Sequence, residues 1–172
     1  MSWLTDFITI LGVPAALIAA WKAIEEWRFG NAEKVRENRH KQAAAARDAL
    51  NDIFYSERSG AAMQMLDWSG RSYQDDSAEH TVSFGELGPA LRVNNLSFDA
   101  KERYIRDCFE DFFDRLELLQ HYVSIDFLNF EDVSVPIAYY AKKIAKHMPS
   151  FEPFLNEYGY IKAKAFIIRA AE

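Results

Sequence analysis

Glu110, Asp114, Glu117 and His121 stand at i, i+4, i+7 and i+11, a spacing that lines one helix face with three carboxylates and an imidazole. Such groups could ligate a divalent metal. Helical bundles that hold two metal ions use Glu-x-x-His twice plus two further Glu. Here His121 follows Glu117 by four residues and no second copy occurs. The spacing equally serves the solvated face that an amphipathic helix needs, and that reading is favoured. His40, His80 and His147 lack ligand-spaced partners, so neither a metal nor another cofactor is expected. A single cysteine, Cys108, excludes an intrachain disulfide and a cysteine-built zinc site, and fits a reducing compartment. Phosphate-cradling glycine loops, nucleophile elbows and zinc-protease motifs are absent.

The carboxylates ride on the most regular pattern in the chain. Asp99 and Glu102 match a capping box, and apolar residues then recur at Ile105, Phe109, Phe112, Leu116, Leu119 and Val123. Asn129 can cap a second helix carrying Val133, Ile137, Tyr140 and Ile144, with Pro136 near its first turns. A short helix follows near Phe151 to Tyr158, stopped at Gly159, and a terminal helix runs from Tyr160 to Ala171. Upstream, Gly30-Asn31 reads as a break, and a charged, Ala-rich helix extends from Ala32 to about Ser56. Its inward face is supplied by Ala43 to Ala46, Leu50, Ile53 and Phe54. Between Gly60 and about Trp68 a shorter helix offers Met63, Met65, Leu66 and Trp68 to the core. Residues 69–98 read as one long irregular connection, with a short helix or turn at Leu87 to Val93, and no alternating strand pattern appears. The expected fold is all-α: an N-terminal transmembrane helix followed by a cytosolic bundle with one long loop. With 172 residues, 49% of them hydrophobic, the chain can bury a single core and is not a disordered sequence.

The stretch Trp3 to Trp21 carries one charge, Asp6, before Lys22 ends the run. As a helix it would be about 28 Å long, near the thickness of a bilayer core. Phe7, Leu11 and Leu17 are among apolar residues that cover every face, and Trp3 and Trp21 sit where interfacial anchors belong. A cleaved signal peptide fits poorly, because no Lys or Arg precedes the run and Ile18-Ala19-Ala20 is a poor cleavage site. A hydrophobic helix packed into a soluble core is the alternative. From Lys22 to Asp48 there are seven Lys or Arg and five Asp or Glu, so the rest of the chain is expected on the cytoplasmic side. Gly12, Ala16 and Ala20 recur every four residues, a face along which a second copy could pack. The expected division is an anchor at 1–22, a juxtamembrane helix at 23–56 and a bundle at 57–172, with 32–56 packing on the bundle.

Two resemblances bear on function. Arg115 and His121 enclose five residues, similar to the Arg–His element of the helical ribonucleases of the HEPN family. That resemblance implies that the pair would orient and protonate phosphate or ribose groups during RNA cleavage. Pairing of Arg115 with Asp111 or Asp114 along the helix is the structural alternative. The apolar span, the Ala-rich charged helix, Asp67-Trp68 with Gly70-Arg71, and FFDRLELLQHYVSIDFLNFEDVSVPIAYYAKKIA at Phe112 to Ala145 together resemble a second family. It comprises small bacterial membrane-anchored proteins of unknown function, some labelled phage abortive infection proteins. This resemblance implies an inner-membrane protein with a cytosolic helical domain and a role in defence. The expectation is a non-enzymatic interaction or effector module whose partners are membrane lipid through residues 3–21, a second copy and an unidentified protein. Arg71, Asp114, Arg115 and Glu117 are expected to tie the bundle together or to meet that partner. With a net charge of −6, nucleic acid is not an expected partner.

Overall fold

The capping signals and apolar periods become helices in a computed structural model that describes residues 2–74 and 78–172, with side chains from residue 21 onward. In order, the elements are α1 (Ser2–Tyr55), α2 (Glu57–Asp67), β1 (Arg71–Gln74), β2 (Glu79–Val82), α3 (Leu87–Ala90), α4 (Ala100–Ser124), α5 (Phe130–Lys146), α6 (Met148–Glu157) and α7 (Ile161–Ala171). Contacts divide the chain into two compact units, Met1–Lys41 and Gln42–Glu172, so α1 contributes to both. Residues 31–41 are exposed, and the second unit begins at Gln42. No helix among the described residues is long and apolar enough to cross a membrane. The side chains of Trp3, Phe7, Leu11 and Leu17, and those of Gly12, Ala16 and Ala20, lie outside the described residues; Trp21 lies within them and is exposed.

Gly30 does not break α1, which runs through Gly30-Asn31. One glycine costs a helix about 1 kcal/mol relative to alanine, too little to end a long one.

In the second unit, α4 is the central element. Its capping box forms as the sequence predicts: the Glu102 amide donates to Asp99 Oδ1 at 2.7 Å and the Asp99 amide to Glu102 Oε2 at 3.1 Å. Ile105, Phe109, Phe112, Leu116 and Leu119 are buried, and so are Cys108 and Phe113, which widens the buried band beyond one stripe. Phe113 is the hub of the aromatic packing. Its ring lies 5.8 Å from Phe109, 5.6 Å from Phe112, 6.1 Å from Phe154 and 5.7 Å from Tyr160. Helix α5 starts at Asn129, whose Oδ1 accepts the Glu131 amide at 3.1 Å, and buries Val133, Ile137, Ala141 and Ile144. Gly159, at φ +74°, takes the left-handed conformation that separates α6 from α7.

Two further expectations are corrected. Residues 71–82 contain strands: β1 and β2 form an antiparallel hairpin with Arg71 opposite Val82 and Tyr73 opposite His80. Four residues per strand are too few for a two-residue period to stand out in sequence. Tyr73, His80 and Val82 face inward, and both the Tyr73 and His80 rings approach Tyr104 of α4. Beyond the hairpin, Arg92 donates to the carbonyls of Pro89, Asn95 and Ser97 and pairs with Glu102, which fastens the connection to the start of α4. Trp68 is the second correction: it is 55% exposed rather than buried. It sits just past the end of α2 with an extended backbone, and the Arg71 guanidinium lies 4.8 Å over its ring.

Removing the hub ring should be far costlier than removing a cap. Phe113→Ala is expected to lower stability by about 3–5 kcal/mol and Asp99→Ala by about 1 kcal/mol, measured by urea unfolding. Equal losses would show that the core is not organised around Phe113.

Candidate functional site

Helix α4 carries most of the polar residues singled out by sequence, and each is directed at a different neighbour. Asp111 and Arg115, one turn apart, form a two-pronged pair: Arg115 Nε lies 2.9 Å from Asp111 Oδ2 and Nη2 lies 3.0 Å from Oδ1. Arg115 Nη1 donates to the Asp52 carbonyl at 3.0 Å and pairs with the Asp52 carboxylate on α1. All three guanidinium nitrogens are therefore engaged. Asp111 Oδ2 also accepts the Ser56 hydroxyl at 2.6 Å and the Ser59 amide at 3.1 Å. A carboxylate thus sits at the N-terminus of α2, where the helix dipole favours negative charge. At the other end of α2, Lys143 of α5 donates to the Leu66 carbonyl at 3.0 Å and to Asp67 Oδ1 at 2.7 Å. Its cation answers the negative end of the same dipole, so α2 is pinned at both ends by charges from other helices. Partial burial pushes the Asp111 carboxyl up, but hydrogen bonds from Arg115 and Ser56 hold it below its ordinary value.

The next turns of α4 hold α7. Burial, together with the Asp114 carboxylate near it, pushes the Tyr160 phenol up. Glu117 Oε2 accepts the Ala163 amide at 2.8 Å. Tyr160, at the N-cap position of α7, makes no side-chain cap hydrogen bond. Glu117 therefore does a capping residue's work from a neighbouring helix. His121 Nδ1 lies 3.1 Å from Lys162 Nζ, and Glu110 pairs with the buried Arg106 at 3.2 Å. Burial raises the Glu110 carboxyl above its ordinary value, against the pull of Arg106.

The geometry separates residues that spacing grouped. Glu110, Asp114, Glu117 and His121 each have a different partner, and no group of three metal-ligating side chains is found among the described residues. Six residues along a helix amount to about 240° of rotation and a rise of about 9 Å. Accordingly Arg115 reaches α1 while His121 reaches α7, and one chain does not bring the pair together. Arg71 stands apart on β1, against Trp68.

Sequence reasoning missed Asp52, Ser56 and Ser59, the partners of the α4 clamp. Ser56 had a legible signal, since serine ahead of a helix is a capping residue, but nothing in sequence ties it to Asp111. Two depressions were also invisible. A cleft of about 360 Å³ between α1 and α4 has an apolar lining that includes Ile53, Leu118 and Phe127, with Asp52 and Arg115 beside it. A groove of about 440 Å³ runs between α2 and β1. No family model, curated protein or solved structure matches the chain.

Because the folded Asp111 carboxyl is lowered, its contribution is fully present above the unfolded value of about 4 and is lost as pH falls through the folded value. Asp111→Asn is expected to cost about 1–2 kcal/mol at pH 7, and the gap to the unsubstituted chain should close as pH drops toward 3. A gap that stays constant in urea unfolding across that range would remove Asp111 from the acid response.

Proposed function

We propose that this chain is a membrane-tethered, non-enzymatic helical interaction module of the bacterial inner membrane. Residues 3–21 enter lipid and the bundle faces the cytoplasm. The observation that carries the reading is a set of large apolar side chains bared on α1 just beyond the apolar run. Trp21, Ile24, Trp27 and Phe29 are each more than half exposed in one stretch of helix. Large aromatic side chains bared beside an apolar run are what the headgroup zone of a bilayer accommodates. The charge asymmetry from Lys22 to Asp48 supports the cytoplasmic placement. The four-residue recurrence of Gly12, Ala16 and Ala20 supports self-association within lipid.

The interaction role draws its support from the polar residues of α4. Asp111, Asp114, Arg115 and Glu117 are occupied in holding α1, α2 and α7, which is the work of a rigid scaffold. The resemblance over Phe112 to Ala145 is what supports a role in phage defence.

Alkaline carbonate washing of bacterial membranes tests the anchor. The full chain should stay in the pellet, and a chain lacking residues 1–21 should move to the supernatant. Full-length protein released by carbonate would end the anchor reading.

A further inference from the structure

The cleft between α1 and α4 is braced at both ends. At one end Arg115 of α4 donates to the Asp52 carbonyl at 3.0 Å and pairs with the Asp52 carboxylate. At the other, Gln42 Nε2 donates to the carbonyl of Asp126, in the turn that follows α4, at 3.1 Å. Gln42 and Asp52 stand ten residues apart, about 15 Å along a helix. Between these braces α1 lines the cleft with Ala45 and Ala49, across from Leu118 and Tyr122 of α4. Methyl side chains leave open a space that longer residues would fill. Its volume, about 360 Å³, falls within the range of small-molecule sites. Because both ends are tied across, the space suits a compact molecule rather than a chain running through it.

Apolar surface and charge together say what it admits. Leu118 is 47% exposed and Phe127 52%, so an apolar body entering the cleft withdraws both from water. The rings of Tyr122 and Phe127, both in the lining, stand 5.5 Å apart at 60°. Aromatic faces set at an angle beside carboxylates attract an ammonium ion, since each π-system draws positive charge to its face. The carboxylates are Asp48 and Asp52, one turn apart on α1, with side chains 69% and 64% exposed. Like charges at that spacing repel, and a cation relieves them. Arg115 does not cancel both, because Asp111 already holds its guanidinium with two prongs and Asp52 is the second carboxylate upon it. Arg47 meets Asp48 at 3.3 Å, a pairing of adjacent, exposed side chains that has little strength in water. Asp48, Asp52 and Asp111 thus stand against Arg47 and Arg115, and the excess charge is negative.

We propose that the α1–α4 cleft binds a small organic cation, its ammonium group held by Asp48 and by the rings of Tyr122 and Phe127, its compact apolar body covering Ala49 and Leu118. An anion would meet the excess of carboxylates, and a neutral molecule would leave the carboxylate and the ring faces unused. The site goes beyond the interaction module proposed above and does not depend on the anchor.

Isothermal titration of the full chain in dodecylmaltoside micelles tests it with three probes: benzyltrimethylammonium, the neutral N,N-dimethylbenzamide and the anion phenylacetate. The ammonium ion is expected to bind at least tenfold more tightly than either of the others. Asp48→Asn and Phe127→Leu, both at exposed positions outside the α4 clamp, should each weaken it at least threefold, and Ala49→Trp, which fills the cleft, should abolish it. Circular dichroism and urea midpoints establish that the variants fold; if Ala49→Trp does not, the two exposed variants decide the matter. The proposal is overturned by the absence of saturable binding in the millimolar range, by equal affinity for the amide or the anion, or by binding indifferent to both Asp48→Asn and Phe127→Leu. Dimers that Ala49→Trp dissolves would overturn it too, by giving the cleft to a second copy.

Discussion

Helix α4 is buried across so much of its circumference that its polar side chains have little water to turn to. Phe109, Phe112, Phe113 and Leu116 are fully buried, while Glu110, Asp111, Arg115 and Glu117 are interleaved with them. A carboxylate or guanidinium half withdrawn from water must find a partner or lose several kilocalories of solvation. Each of these groups finds one on a neighbouring element or one turn away along α4. The arrangement of the second unit follows from that requirement, because satisfying the polar residues of α4 fixes α1, α2 and α7 around it.

The satisfaction is achieved by unlike means. Asp111 and Lys143 bracket α2 with charges of the sign its dipole favours at each end. Glu117 substitutes for a missing cap on α7. Arg106, buried, rests against the rings of Phe98, Phe154 and Tyr158 and pairs with Glu110. Its charge is held by aromatic faces as well as by a carboxylate. In each case a charged side chain also fixes the geometry between two helices. Helix α2 consequently forms a fixed wall beside β1.

The hairpin has a different origin. Tyr73 and His80 pack on Tyr104, Lys101 donates to the Thr81 carbonyl of β2 and pairs with Glu86, and Arg92 ties the following segment to Glu102 at the start of α4. A stretch rich in glycine and polar residues is thereby given defined structure by contacts supplied from α4. One edge of β1 pairs with β2 in making the hairpin.

Local signals were enough to place α4, α5, the stop at Gly159 and the buried residues Ile105, Phe109, Phe112, Val133 and Ile137. Caps and apolar periods act within a few residues, and that is the range at which sequence is legible. The pairing of Arg115 with Asp111 also lay within that range, one helical turn away. The link from Arg115 to Asp52 spans 63 residues and that from Ser56 to Asp111 spans 55, so only the folded chain selects them. Trp68 shows the same limit in reverse: its hydrophobicity points inward, but the end of α2 and the cation of Arg71 leave it at the surface. Spacing by itself determined which residues share a helix. Which neighbour each of them meets was decided by tertiary packing, because a side chain's partner depends on what the rest of the chain brings within hydrogen-bonding reach.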